Sequence, residues 1–463
     1  MAKKPYKTAL FIFRRDLRLD DNSGLNAALR QSSQVLACFI FDPRQIQTHP
    51  YQSTPGLQFM LEALADLQQQ LQKQGGLLYI FNGLPETLIT NLKPDIGIQA
   101  VFVNRDYSPF SRQRDDALRQ RCEQLHLDFH SQTDLLLTEP EQTLKGNGKP
   151  YQVFTPFYRQ ARLQPVAAPQ ALAKGKWFKK DYAGHLPELL SELKRTHSNA
   201  LPGGRRAALD RLAIIGKHRN YINVRDFPAM AATSQLSAYL KFGCCSVREA
   251  FYSIQAELDP DHPLLRQLYW RDFFTHIGFH FPHVFGHAFD KRYDGLQWRN
   301  GQDDFWAWAN GQTGVPIVDA AMRELNKTGW MHNRLRMIVA SFLVKDLHVS
   351  WRWGERYFAQ RLLDYDPCVN NGNWQWAAST GCDAQPYFRI FNPWLQQKKF
   401  DPQCLYIKAW IPELQRYPAE VIHKWEKHPQ TGDYPPPRVD HALQSQSIKA
   451  QFKALATAMA APE

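Results

Sequence analysis

Unbroken apolar runs and helical periodicities alternate through the first third of the chain. Residues 8–13 (TALFIF), 35–41, 77–81 and 100–104 are apolar runs of strand length. Unbroken runs, as opposed to alternating ones, fit strands buried on both faces. Between them, apolar residues recur at helical spacing over about 23–31, 56–73 (Leu57, Met60, Leu61, Leu64, Leu67, Leu71) and 111–125. This alternation predicts a doubly wound parallel sheet. Ligands of such sheets sit at the strand carboxyl ends, here Phe13-Arg14-Arg15-Asp16, Phe41-Asp42-Pro43 and Asn104-Arg105-Asp106. Ordinary helix-entry turns look the same in sequence. No GxGxxG follows any strand, so the standard dinucleotide fingerprint is missing.

The strand pattern stops near residue 139. Pro, Gly, Lys and Gln become common up to about 199, as in QPVAAPQALAKGKW, which predicts a connector between domains. From about 205 to 425 the pattern is helical. Pro316 opens one helix whose apolar face is Ile317, Ala320, Ala321 and Leu325, and residues 333–347 form another, apolar on most sides. The expected organisation is an α/β domain over 5–138, a connector over 139–199, a helical domain over 200–430 and a peripheral tail over 431–463. No internal repeat is visible.

Composition narrows the function. The chain has 463 residues and a formal net charge of +12, pointing toward a polyanionic partner. Residues 141–225 carry 16 Lys and Arg against 5 Asp and Glu, nearly the whole excess; a solvated linker would show the same bias. The seven Cys are scattered without a CxxC pair, which predicts a reducing, cytoplasmic setting with no disulfide framework. No apolar stretch reaches membrane-spanning length, and the apolar start of the chain reads as a first strand. His276, His280, His283 and His287 have i, i+4 spacings, but Pro282 interrupts the helix and no carboxylate series accompanies them, so no metal is expected. GxSxG, HExxH and Walker loops are all absent, which leaves hydrolytic and phosphoryl-transfer chemistry unsupported.

The chemistry concentrates in residues 364–393, DYDPCVNNGNWQWAASTGCDAQPYFRIFNP. Amides and acids interleaved with Trp374 and Trp376 suit a planar ligand with a polar rim, or a buried turn whose Asn and Asp cap helices. Thr233-Ser234-Gln235-Leu236-Ser237 enters a helix and reads as a phosphate site or a plain N-cap. Gln267 and Arg271 lie one helical turn apart, and Asn333, Arg334, Arg336 and Met337 form a third polar group.

FRRDLRLDDN near the start, TSQLS at 233–237, YWRDFF at 269–274, GWMHNRLRM at 329–337 and NNGNWQWAASTGCDAQPYFRIFNP at 370–393 together resemble the DNA photolyase/cryptochrome family of blue-light flavoproteins. The resemblance spans nearly the full chain and is greatest to the class that repairs cyclobutane pyrimidine dimers. It implies FAD in the helical domain, held by Tyr221, Thr233, Ser234, Gln235, Leu236, Ser237, Arg271, Asn333, Arg336, Asp364, Asp366 and Asn370. Trp374, Trp351 and Trp298 match an electron relay running outward from the flavin; by spacing alone they are ordinary core tryptophans. Asn370 matches the position facing the flavin ring nitrogen that gains or loses a proton, where plant cryptochromes carry Asp. The implied partner is UV-damaged DNA, bound by a monomer. Trp270, Trp376, Gln267, Asn333 and Met337 would surround a flipped-out lesion, and Arg225, Arg334 and Arg389 the phosphates.

Two positions depart from the pattern. The dimer-repairing class usually has Glu where this chain has Gln267; (6-4) photolyases and animal cryptochromes tend to have Gln, but place histidines where this chain has Asn333 and Met337. Folate-binding members carry Glu where Ser108 stands, so the second, antenna chromophore is open between folate, deazaflavin, another flavin and none. A cryptochrome-type light sensor is the binding-class alternative.

Overall fold

The computed structural model describes residues 4–186, 188, 199–429, 432 and 434–458. Five strands, β1 (Tyr6–Phe13), β2 (Ser32–Phe41), β3 (Leu78–Asn82), β4 (Ala100–Asn104) and β5 (Asp128–Gln132), form one parallel sheet in the order β3-β2-β1-β4-β5. Successive side chains leave opposite faces of a strand, so each apolar run serves two cores. Phe11, Phe13, Phe39 and Phe41 face the helix Thr54–Lys73 and, beyond it, Tyr239, Phe242 and Leu264 of the helical half. Leu10, Ile12, Leu36, Val101 and Val103 face Ile89, Leu92, Leu118 and Cys122 on the helices Pro85–Ile96 and Pro109–Gln124. The sheet is therefore covered on both sides, as the unbroken runs require.

The helical half has its own core. Helix Pro316–Thr328 opens on Pro316 and ends at Gly329 in the left-handed region (φ 71°). Its Ile317, Val318 and Ala321 pack with Leu335 and Val339 of helix Asn333–Lys345, Trp351 and Phe358 of helix Trp351–Arg361, and Trp374 of helix Pro367–Ala378.

Two expectations need correction. The stretch 139–199 is more than a connector. Its helix Phe154–Ala161 inserts Phe154 and Phe157 among Tyr269, Phe273 and Ile277, and Val35 of β2 exchanges backbone bonds with Lys176 and Phe178 at 2.9 Å each. Residues 187 and 189–198 of it lie outside the described residues. Nor is the segment after 431 simply peripheral, because helix His441–Ala458 buries Ile448 and Phe452 against Leu296, with Trp298 and Tyr387 packed alongside. All seven cysteines are buried and unpaired.

Candidate functional site

Helix Pro367–Ala378 organises the site. Asp366 caps it, its Oδ1 accepting from the Cys368 and Val369 N–H groups at 3.0 and 3.1 Å. A carboxylate at a helix start is stabilised by the exposed N–H groups and the helix dipole. One turn on, Asn370 is buried and its Nδ2 donates to the Glu355 carbonyl at 3.0 Å. Asn371 Nδ2 donates to Glu355 Oε1 (3.1 Å) and the Val284 carbonyl (2.9 Å); Gln375 Nε2 donates to the carbonyls of Val284 and His287, both at 3.0 Å. The amide run therefore locks the helix to its neighbours, and Asn370 Oδ1 makes none of these bonds. Burial pushes the Glu355 carboxyl up to about 7, against the opposing Asn371 bond and the Arg352 and Arg356 charges.

Arg336 meets the buried Asp364 two-pronged, Nη1 to Oδ1 at 3.2 Å and Nη2 to Oδ2 at 2.9 Å. Its Nε donates to the Met331 carbonyl at 2.9 Å. Arg271 donates to the Leu135 carbonyl at 2.6 Å and lies 3.6 Å from Asp272. Asp272 is spent on the Leu137 and Thr138 N–H groups (2.8 and 3.2 Å), and burial drives it up to about 7, so it is a weak counter-charge for Arg271. Segment 233–236 runs through a left-handed Gln235 (φ 54°) into the short helix Ser237–Phe242, with Leu236 buried. Thr233 Oγ1 is buried without a partner among the described residues. A buried orphan hydroxyl and an under-compensated guanidinium are what a pyrophosphate ligand would satisfy. The residues present therefore fit FAD. Tyr221 is buried under the Arg225 guanidinium, 5.5 Å from the ring centre.

Trp374 and Trp351 are buried in one cluster, against which the half-buried Trp298 packs from outside; Trp298 also touches the Leu296–Phe452 cluster. The Phe358 ring meets Trp374 edge-on at 4.9 Å, and the side-chain-free Gly354 makes room for the indole, which a Cβ there would strike. Trp374 and Trp351 are thus equally buried, and only Trp298 reaches toward the surface. Trp376, on the same helix, is half-buried, as is Trp270. Trp270 stacks face to face on Phe154 at 3.7 Å and 8°. Asn333 is exposed with its Nδ2 3.9 Å from Met337 Sδ, and the side chain of the half-buried Gln267 makes no hydrogen bond among the described residues. Arg334 pairs with Asp226 at 2.8 Å and lies over Phe400, while Arg389 is exposed beside the exposed Phe388.

The histidines do not converge. His276 is buried against Phe157 and its ring meets His280 edge-on at 4.5 Å; burial pushes it down to about 3. Among the described residues no group of three His, Cys, Asp or Glu is placed to hold a metal.

A cavity of about 620 Å³ lies at the carboxyl ends of β1, β2 and β4, where the strand order turns back. Arg14, Arg15, Tyr51, Met60, Phe110 and Lys241 are among its walls. Ser108 caps the following helix and bonds Ser111 at 2.9 Å. Glu355 and Phe154 carry no signal in the sequence; Asn371 lies in the polar run before Trp374 and Arg15 in the charged turn after β1, but neither sequence feature shows what the side chain holds.

The architecture and these residues agree with what comparison finds. Residues 264–454 match the FAD binding domain of DNA photolyase and residues 9–173 match DNA photolyase. A deoxyribodipyrimidine photo-lyase of Alkalihalophilus pseudofirmus is 38% identical, covering 95% of this chain and 97% of that protein. An archaeal photolyase from Sulfolobus tokodaii, whose crystal structure has two FAD molecules and implies a novel light-harvesting cofactor, is 43% identical with a TM-score of 0.89, covering 96% of this chain and 100% of that one. A cryptochrome of Synechocystis sp. has a TM-score of 0.88 at 29% identity, covering 97% of this chain and 100% of that one. The chain belongs to the DNA photolyase/cryptochrome family. No described helix is long and apolar enough to cross a membrane.

Proposed function

We propose that the chain repairs cyclobutane pyrimidine dimers in UV-damaged DNA under blue light. The observation that carries this is a single helix, Pro367–Ala378, holding Asn370 and Trp374 inside and Trp376 half outside. Bound, reduced and photoexcited, FAD would supply the electron that opens the dimer and take it back. Thr233–Ser237 and Arg271 would hold its pyrophosphate. Asn370 would turn its free amide oxygen to the ring, and Arg336 with Asp364 would fix the pocket wall. Asp366 would start the helix, and Tyr221 would close the pocket. Trp374, Trp351 and Trp298 would refill the flavin with electrons from outside, since indole is the most readily oxidised ring in the core. On the lesion side, Trp270, braced by Phe154, and Trp376 give flat walls for flipped bases, with Asn333, Met337 and Gln267 at the polar edges. Arg225, Arg334 and Arg389 would take phosphates without reading sequence.

Flavin, relay and lesion walls all come from one chain, which supports action as a monomer; seven buried, unpaired thiols suit the cytoplasm. The cavity at the strand ends would hold a second chromophore. With Ser108 in place of a carboxylate and basic, aromatic walls, a flavin fits it better than a folate. Absorption spectra of the released chromophores decide this: a folate spectrum refutes it.

Gln267 supports a second reading, repair of (6-4) photoproducts, because its amide can donate to a base carbonyl but supplies no proton or charge. Asn333 and Met337 oppose it, offering no imidazole. The test is repair of both lesions by purified protein under blue light. Dimer reversal is expected; reversal of the (6-4) lesion alone overturns the proposal. Affinity in the dark separates repair from light sensing, because a sensor has no reason to prefer damaged over undamaged DNA.

A further inference from the structure

Asp366 is held from two directions. One oxygen caps helix Pro367–Ala378; the other, Oδ2, accepts from Arg15 Nη2, and the Asp366 carbonyl receives the Asn370 N–H at 2.8 Å. Arg15 stands at the end of β1, in the other half of the molecule. Its Nη1 lies 3.1 Å from Asp106 Oδ1 and its Nε donates to the Lys241 carbonyl at 3.2 Å. Asp106 is fixed in turn by the Tyr107 N–H (2.8 Å) and Ser111 Oγ (2.9 Å). The chain passes closely here: Gly243 sits in the left-handed region (φ 64°), and a Cβ on it would collide with the Arg15 carbonyl.

The three side chains are largely dehydrated, with exposures of 16% for Arg15, 7% for Asp106 and 12% for Asp366. Burial alone would raise both carboxyls, yet the Arg15 charge holds Asp106 and Asp366 below the usual range. Lys241 adds a second cation, which burial first and Arg15 next push down to about 8. Arg15 is thus the principal cation keeping the Asp366 carboxylate ionised and aimed at the helix start. An ionised cap that loses a buried partner either takes a proton or swings toward Lys241, and both weaken the cap.

We propose that Arg15 is a positioning residue for the flavin: acting across the domain boundary through Asp366, it sets where helix Pro367–Ala378 begins and so where Asn370 and Trp374 stand. This rests on the reading that the helix faces FAD. Arg15 touches neither lesion nor relay, so its effect is on how tightly each redox form of the flavin is held.

The test uses full-length holoprotein with Arg15→Met and Arg15→Lys, and because Arg15 also lines the strand-end cavity, only flavin that Trp374 photoreduces is scored as bound at the helical site. Arg15→Met is expected to raise the FAD dissociation constant at least tenfold and to change the ratio of affinities for oxidised and reduced FAD. A tenfold change in that ratio appears as ~30 mV in the two-electron midpoint potential. Arg15→Lys, which keeps the charge, is expected to restore most of both. A folded Arg15→Met protein with unaltered FAD affinity and midpoint potential overturns the proposal. So does an Arg15→Lys protein as impaired as Arg15→Met, since that would mean shape, and not charge on Asp366, is what matters. Arg15→Gln, which retains donors without charge, replaces Arg15→Met if the latter does not fold. FAD titration of the unsubstituted protein runs alongside: absence of binding there refutes the flavin reading itself, whereas normal binding there with unaffected variants refutes only the role of Arg15.

Discussion

Asn370 gives its side-chain N–H to the backbone carbonyl of Glu355 at 3.0 Å, which fixes the amide and leaves its oxygen without a partner among the described residues. A main-chain acceptor cannot be titrated, so the orientation holds at any pH.

Asn370→Asp therefore replaces a held dipole with a carboxylate that cannot donate to that carbonyl. Reduced flavin beside it would be disfavoured, because a fixed carboxylate repels the negative charge that reduction adds. A more negative flavin midpoint potential at pH 8 is expected, together with slower photoreduction. Potentiometric titration measures it, and an unchanged potential would remove Asn370 from the flavin edge.

The Gln267 side chain makes no hydrogen bond among the described residues, so its amide is available to a lesion carbonyl. Gln267→Glu is expected to speed dimer splitting several-fold, because an acid can share a proton with the developing radical anion. Single-turnover repair after a light flash reads this directly. Equal or slower splitting would show that Gln267 does not limit the chemistry.

Trp374→Phe keeps an aromatic ring in the slot left by Gly354 but removes the oxidisable indole. Flavin photoreduction by an external donor is expected to fall at least tenfold, while protein carrying chemically reduced flavin repairs at near-normal rate. Loss of both activities would mean that Trp374 is a packing residue only.

Glu355 supplies the pH-dependent case. Burial raises its carboxyl from 4.5 to about 7, so folding favours the protonated form. Its contribution is fully present below about 4.5 and is lost as pH rises through about 7. Glu355→Gln, neutral throughout, should gain on the unsubstituted protein across this window, by about 3 kcal/mol if the whole shift is realised. Denaturant unfolding at pH 5 and pH 8 gives the difference, which must grow with pH.

Arg389 is exposed on the turn after Cys382 and has no ion pair among the described residues. As a phosphate contact it would contribute about 0.9 to the slope of log affinity against log salt. Arg389→Ala should lower that slope by roughly one and weaken binding to lesions in any sequence context. Binding isotherms over a salt series decide it.

Much of this was legible in the sequence for a physical reason. β1 and β4 are buried on both faces, so they appear as unbroken apolar runs; Pro316 marks the start of a helix because its ring fits the first turn. β5, with the sequence DFHSQ, escaped notice because it is an edge strand with exposed positions and no apolar run. The residue types of the site were legible through motif, but not what holds them. Arg15 and Asp366 are 351 positions apart, and no periodicity links them. Phe154 lies in a Pro- and Lys-rich stretch whose composition hides that one ring braces Trp270. The tail after 431 reads as peripheral because, among the described residues, its last helix buries only two apolar side chains, Ile448 and Phe452, beside the polar His441 and Ser445.

The seven buried cysteines have a practical side. With each thiol shielded, and burial pushing Cys122, Cys244, Cys245 and Cys404 up to about 12, none offers a ready thiolate to solution reagents. One cysteine introduced on the exposed turn that carries Arg389 would then be the sole fast-reacting handle. A maleimide dye or spin label could be placed there in the native chain, and opening of the duplex followed with the flavin and its tryptophans untouched.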